Sequence, residues 1–210
     1  MNSASAGIPP IPLPVIVLAA GRGRRLGLPK LLAAYAGRTF LERILIRCAH
    51  SGSPVTLTVS PDLRARAEAA LQDLQTRLGL PRPKVVEADP DGDMLDSLKT
   101  ALRAEARAPG VWVWPVDAPF ISAPGWTSAV AAVRTDPARV LQLRCGGRGG
   151  HPLWLPDSLR PALLTGHWEN GLAGFLAGLE RPRLHCLELA GEHLRDVNTP
   201  EDLHALTLAE

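Results

Sequence analysis

The densest chemistry in the chain lies in one short stretch, Gly21-Arg-Gly-Arg-Arg25-Leu-Gly-Leu-Pro-Lys30. Glycines let a backbone turn and bring its N–H groups up to an anion. Arg25 offers a planar fork for phosphate oxygens, and Lys30 a mobile point charge. From Met1 to Leu41 there is no Asp or Glu, yet Arg22, Arg24, Arg25, Lys30 and Arg38 all fall there. Positive charges this crowded repel one another unless an anion sits among them, so a polyphosphate is the expected ligand. The competing reading is a solvated basic turn. A basic turn directly behind a buried strand favours the phosphate.

Two other phosphate loops are excluded. A Walker A loop needs Gly, four residues, then Gly-Lys-Ser/Thr, and neither Gly21 nor Gly23 begins one. The dinucleotide fingerprint fails because Leu26 stands at its third glycine.

Carboxylates supply the second half of the chemistry. Asp117 ends the apolar run Val111-Trp-Val-Trp-Pro-Val116. A hard oxygen ligand there suits Mg²⁺, which is held by one or two carboxylates together with substrate phosphates. Its structural alternative is a cap on the turn at Pro119. Asp196 is a second candidate, with a turn before the Thr199 helix as its alternative. Ser97 falls near a helix start and is either a nucleotide contact or a first-turn polar residue. His151, in Gly150-His151-Pro152, is either an acceptor contact or a packed turn residue. His167, His185, His193 and His204 show no ligand spacing. Trp112 and Trp114 alternate on a strand and read as core, whereas Trp154 and Trp168 either line the acceptor pocket or, the favoured reading, pack in the core.

The elements that must position these groups alternate along the chain. Val15 to Ala19 reads as a strand buried on both faces. Thr39 with Glu42 forms a capping box for a helix bearing Leu41, Ile44, Leu45 and Cys48. Val55 to Val59 is the next strand. Ser60-Pro61 supplies an N-cap and first-turn proline for a helix ending near Gly79. Lys84 to Glu87, Val111 to Val116, Val140 to Leu143 and Leu184 to Leu189 are further strands, and the glycine-rich turn Gly146-Gly-Arg-Gly-Gly150 leads into His151-Pro-Leu-Trp-Leu155. A helix with Leu95, Leu98 and Leu102 follows the acidic turn Asp89–Asp93, and Ser122 to Val133 is helical. Two shorter helices and a last one capped by Thr199-Pro200 complete the pattern. This alternation predicts an α/β fold, three layers deep, around a mostly parallel, Rossmann-like sheet. Ligands then bind beyond the carboxyl ends of the strands.

Bulk properties narrow the classes. With 210 residues, the chain suits one domain over residues 15–210 after a proline-broken lead-in over 1–14. A net charge of +2 and 4% aromatics provide neither the basic field nor the stacking platforms of a nucleic-acid binder. No apolar run reaches the roughly eighteen residues of a membrane span. Cys48, Cys145 and Cys186 are widely separated, which suits a reducing, cytoplasmic setting.

Leu18-Ala-Ala-Gly21, Arg25-Leu-Gly27 and Pro29-Lys-Leu-Leu32 resemble the signature of the MobA-like nucleotidyltransferases, closest to the molybdenum cofactor cytidylyltransferases. Met94-x-x-Ser97-Leu98, Val116-Asp-Ala-Pro119, Gly150-His-Pro152 and Asp196-Val-Asn-Thr-Pro-Glu-Asp-Leu203 match in the same order. Leu26, Ala118 and Thr100-Ala101 depart from the pattern. The resemblance implies a nucleotide-diphospho-sugar transferase type of fold. It implies transfer of CMP from CTP to a pterin-type molybdenum cofactor, with release of pyrophosphate. It places Leu18, Ala19, Ala20, Gly21, Arg22, Gly23, Arg25, Lys30 and Ser97 at the nucleotide. Mg²⁺ falls on Asp117 and Asp196, and His151 on the acceptor side. Ala20, giving LAAG rather than LAGG, favours CTP over GTP. A sugar or alditol phosphate acceptor, and a non-catalytic nucleotide-binding delivery protein, are the competing functions. The resemblance also allows for transient contact with a molybdoenzyme or its chaperone.

Overall fold

A computed structural model describes residues 12–21, 23, 25–180, 183–191, 194 and 196–207. Arg22, His193 and most of the expected lead-in (residues 1–11) lie outside the described residues.

Seven strands form one sheet: β1 (Val15–Leu18), β4 (Val55–Val59), β5 (Lys84–Glu87), β6 (Gly110–Pro115), β7 (Val140–Cys145), β8 (Arg148–Pro156) and β9 (Leu184–Glu188), in the order β5-β4-β1-β6-β8-β7-β9. A two-strand hairpin, β2 (Ala34–Tyr35) with β3 (Arg38–Thr39), stands apart from it. β1 pairs parallel with β4 and β6, and β4 with β5. β8 runs antiparallel to β6 and β7. The glycine-rich turn read from the sequence is therefore a tight hairpin. Gly146 and Gly147 both have positive φ, 58° and 75°, as two-residue hairpin turns require.

The described residues form seven α-helices, α1 (Phe40–Ser51), α2 (Arg64–Leu78), α3 (Met94–Ala104), α4 (Ala123–Thr135), α5 (Arg160–Thr165), α6 (Gly171–Ala177) and α7 (Pro200–Thr207). Strand alternation divides the core between two faces. Val15 and Val17 of β1, Trp112 and Trp114 of β6 and Trp154 of β8 pack with α1, α2 and α4. Ile16, Leu18, Val111, Val113, Leu153 and Leu155 pack with α3, α5 and α6. This is the three-layer arrangement expected from the sequence, and β1 is buried at all four positions because both of its faces are covered.

The tryptophan ladder is the heaviest part of the core. Trp112 lies 5.0 Å from Trp126 and 5.6 Å from Trp154 between ring centroids, and Trp114 lies 5.0 Å from Trp126. On the other face the buried Arg160 guanidinium donates to the carbonyls of Leu102 (2.8 Å), Glu105 (3.2 Å) and Ala106 (3.3 Å). It thereby satisfies carbonyls that the end of α3 leaves without helical partners.

Three local expectations change. Thr39 caps α1 by accepting from the Glu42 N–H, but the Glu42 carboxylate meets Arg77 at 3.6 Å and Arg38 at 4.0 Å. The reciprocal capping box is found instead at Asp93 and Asp96 of α3. Ser60 precedes a short 3-10 turn, Pro61–Leu63, and its side chain makes no capping bond. No helix among the described residues is long and apolar enough to cross a membrane.

Candidate active site

Three segments meet beyond the carboxyl ends of β1 and β6. The first is the loop from Ala19 to Lys30. Leu26 and Leu31 are buried and pin it to the core, while Arg25 stays exposed. Gly23 has φ +61°, and a Cβ there would fall 2.3 Å from the Leu28 carbonyl, so the turn itself demands glycine. Gly21 is different: nothing lies within 4 Å of an added Cβ, so packing does not require glycine at that point. Leu18, Ala19 and Ala20 are buried at the strand end. The Ala19 N–H donates to the Thr58 carbonyl at 3.0 Å and the Leu26 N–H to the Gly23 carbonyl at 3.0 Å.

The second segment follows β6. Trp114 Nε1–H donates to the Ala118 carbonyl at 2.8 Å, and the Val197 N–H donates to the Asp117 carbonyl at 2.7 Å. Asp117 is thus tied to the core on one side and to the third segment, residues 196–199, on the other. In that third segment the Asp202 carboxylate accepts from the Asn198 and Thr199 N–H groups, both at 2.8 Å. Those two bonds, outweighing slight burial, hold the Asp202 carboxyl below the usual carboxylate range, with a smaller contribution from the charge of Arg25.

Lys30 joins all three. Its Nζ donates to Asp117 Oδ2 and to Asn198 Oδ1, both at 2.6 Å. Lys30 and Asp117 are 18% and 17% exposed, so the pair is screened by solvent less than a surface contact would be. Beside it, His151 Nδ1 faces Asp196 Oδ1 at 3.8 Å. The His151 imidazole, working against partial burial, and the charge of Lys30 hold the Asp196 carboxyl below its ordinary range.

The donor set suits a hard cation. Asp117 Oδ1 is buried and has no hydrogen-bond partner among the described residues, which leaves a carboxylate oxygen available while Oδ2 is taken by Lys30. Asp196 and the Asn198 amide oxygen add further oxygens. No group of three or more His, Cys, Asp or Glu able to hold a metal occurs among the described residues. A divalent ion bound here would take much of its coordination from substrate phosphates.

A cavity of about 800 Å³ opens next to this cluster, with His151, Asp196 and Asn198 in its wall. Most of its lining comes from the second half of the chain. Trp168, for which the sequence favoured core over pocket lining, lines it with Leu172 and Leu176. The Trp168 ring packs edge-on against Phe175 at 5.1 Å. Asp93 and Asn170 stand in the same wall. Ser97 is buried one turn into α3 and is not part of this lining. Asn198 is the functional residue that sequence reading passed over. It lies inside the Asp196–Leu203 motif, but an asparagine before Thr-Pro reads as a turn former.

The sequence model of the MobA-like NTP transferase domain matches residues 15–184. A molybdenum cofactor guanylyltransferase of Sinorhizobium fredii (strain NBRC 101917 / NGR234) is 31% identical over 121 residues, 55% of this chain and 50% of the relative. The match thus spans half the length of that curated relative. Among solved structures, Rv0371c of Mycobacterium tuberculosis H37Rv superposes with a TM-score of 0.74 at 27% identity, covering 93% of this chain and 97% of that one. The complex of Rv0371c with manganese gives 0.73 at 24% identity over the same shares.

Proposed function

We propose that this chain, which belongs to the MobA-like NTP transferase family, transfers CMP from CTP to a phosphate-bearing pterin-type molybdenum cofactor and releases pyrophosphate. The observation that carries this reading is Lys30, set between Asp117 and Asn198 at 2.6 Å from each, with Asn198 also in the wall of the cavity.

The reaction is in-line displacement. An acceptor phosphate oxygen forms a bond to the α-phosphorus, and the bond from that phosphorus to the bridging oxygen breaks, so the electron pair leaves on pyrophosphate. Such chemistry rests on alignment and on cancelling charge. Backbone amides beyond Ala20 and the Arg25 fork receive the β- and γ-phosphates. Lys30 exchanges a carboxylate for phosphate oxygen as substrate arrives, keeping one partner throughout. His151, steadied by Asp196, donates to the acceptor phosphate and holds it on the far side of the α-phosphorus. The cavity wall around Trp168 excludes water from the acceptor. A divalent ion, held by Asp117 and Asp196, supplies charge neutralisation on the phosphates. Manganese in the Rv0371c complex supports divalent chemistry in this fold, and Mg²⁺ is the ion proposed here.

CTP rests on Ala20 in the LAAG segment. GTP is the second reading, favoured by the name of the Sinorhizobium fredii relative. The deciding experiment is a thermal-shift and pyrophosphate-release panel with CTP, GTP, UTP and ATP, each with and without Mg²⁺, using pterin-type and sugar-phosphate acceptors. Selective stabilisation and turnover by CTP with the pterin-type acceptor is expected. Turnover only with GTP, or only with a sugar phosphate, overturns the corresponding half of the proposal.

A further inference from the structure

A second cavity, of about 450 Å³, lies between α1 and α4 and shares no lining residue with the one that has His151 and Asp196 in its wall. Its volume falls in the range that takes a small molecule. Trp126, Val130 and Arg134 line it from α4, at the four-residue spacing that puts side chains on one helix face. Arg47, His50 and Ser51 line it from the last turn of α1. Two guanidinium groups and an imidazole thus share one space, and neither Asp nor Glu is among its lining residues.

Arg47 is held in place. It is half-buried, and its Nε–H donates to the Ile121 carbonyl at 3.2 Å. That bond fixes the guanidinium and leaves both terminal nitrogens without a partner among the described residues. Arg134 meets no carboxylate among the described residues either. By contrast, Arg64 and Arg77 of α2, in the same layer, each meet a carboxylate at 3.6 Å or less. Other polar groups around the cavity are already paired. Trp126 Nε1–H donates to Ser51 Oγ at 3.1 Å, and Thr127 Oγ1 to the Ala123 carbonyl at 2.9 Å. The carbonyls ending α1 are taken too, Ala49 by the Gly52 N–H at 3.1 Å and Cys48 by the Ser53 N–H at 2.9 Å. What remains uncompensated is positive.

Cations gathered without a counter-charge repel one another until an anion enters. Arg134 lies about 12 Å along α4 from Trp126 at the usual helical rise, whereas Arg47 and His50 sit near the Trp126 end. Charges spread in this way suit an extended anion. Two guanidinium forks on separate helices match oxygens on more than one centre, as in a diphosphate, while one planar carboxylate fills a single fork. We propose that this cavity is a second anion site, for a small molecule bearing a diphosphate group. It stands apart from the proposed reaction. The last turn of α1 leads through Gly52 to the start of β4 at Val55, whereas Lys30 and Asp117 meet beyond the carboxyl ends of β1 and β6.

The test titrates inorganic pyrophosphate into ¹⁵N-labelled wild type, Arg134→Ala and Lys30→Ala, following the assigned Nε1–H resonance of Trp126, which reports from the cavity wall. A saturable shift is expected in the wild type. Arg134→Ala, a change at an exposed residue, should weaken that binding about tenfold through loss of a charge-assisted hydrogen bond. Lys30→Ala should leave it unchanged, and succinate at matched ionic strength should give no saturable shift. Absence of a saturable shift in the wild type overturns the inference, as does equal affinity in Arg134→Ala. A shift lost in Lys30→Ala overturns it too, because the resonance then reports binding at the active site. Equal binding of succinate overturns the diphosphate assignment. Each of these failures leaves the proposed transfer reaction standing, since nucleotides and acceptors test that separately.

Discussion

Gly150 and Leu194 are packed so closely that a methyl group at residue 150 would lie 2.5 Å from the Leu194 Cβ and 2.5 Å from its carbonyl oxygen. This contact seats the start of the 194–198 segment on β8. It is what lets Asp196 face His151 and Asn198 face Lys30. Glycine in the Gly-His-Pro motif is thus a requirement of close approach.

Gly150→Ala is therefore expected to displace Leu194 and residues 196–198 and separate both pairs. Overpacking of this kind costs about 1–3 kcal/mol, which the fold should survive. Pyrophosphate release should fall at least about tenfold, as geometry-dependent catalysis does when a group shifts by an ångström. Circular dichroism and a turnover assay check both halves, and unchanged turnover would contradict the role given to the contact.

Asp117→Ala should abolish turnover while leaving the fold intact. Removing a group that stabilises developing charge costs about 10² to 10³ in rate. Lys30 keeps Asn198 as a partner when the carboxylate is removed, so Tm should fall by no more than a few degrees. Wild-type rates in this variant count against the metal assignment.

Lys30→Ala should raise the KM for the nucleoside triphosphate more than it lowers kcat, and should flatten the salt dependence of binding. Lys30→Arg should restore little. The ammonium sits 2.6 Å from two oxygens on different segments, a geometry for a compact point charge and not for a planar fork. Steady-state kinetics at two ionic strengths make the comparison.

Stability at acid pH should depend on Asp157. Burial pulls its carboxyl up, but hydrogen bonds from Arg107 and Arg160 outweigh it and hold the group below the usual range. A depressed carboxyl contributes fully above its unfolded value, roughly pH 4, and the contribution is lost as pH falls through the lower folded value. Asp157→Asn should therefore be less stable than wild type near neutrality, with the gap closing below about pH 4. Urea denaturation between acid and neutral pH reads this directly.

Some of this was legible in residues alone. A continuous apolar run such as Val15 to Leu18 has no exposed face, so it implies a sheet covered on both sides. Glycines and cations behind it imply an anion, because neither periodicity nor packing explains them. Trp112 and Trp114 were equally readable as core from their alternation along β6. Ser60-Pro61 misled because a serine before proline is a cap by local rules, and only the folded chain shows that its side chain makes no capping bond.

Composition and order along the chain determined the layers, the phosphate loop and the candidate carboxylates, since each depends on neighbours within a few residues. Tertiary structure alone decided that Lys30, Asp117 and Asn198 share one ammonium, that Trp168 faces a cavity, and that Gly150 seats the segment carrying Asp196. Those facts join residues far apart in the chain, and a distance of 2.6 Å between them follows from how the sheet orders its strands, which no local pattern encodes.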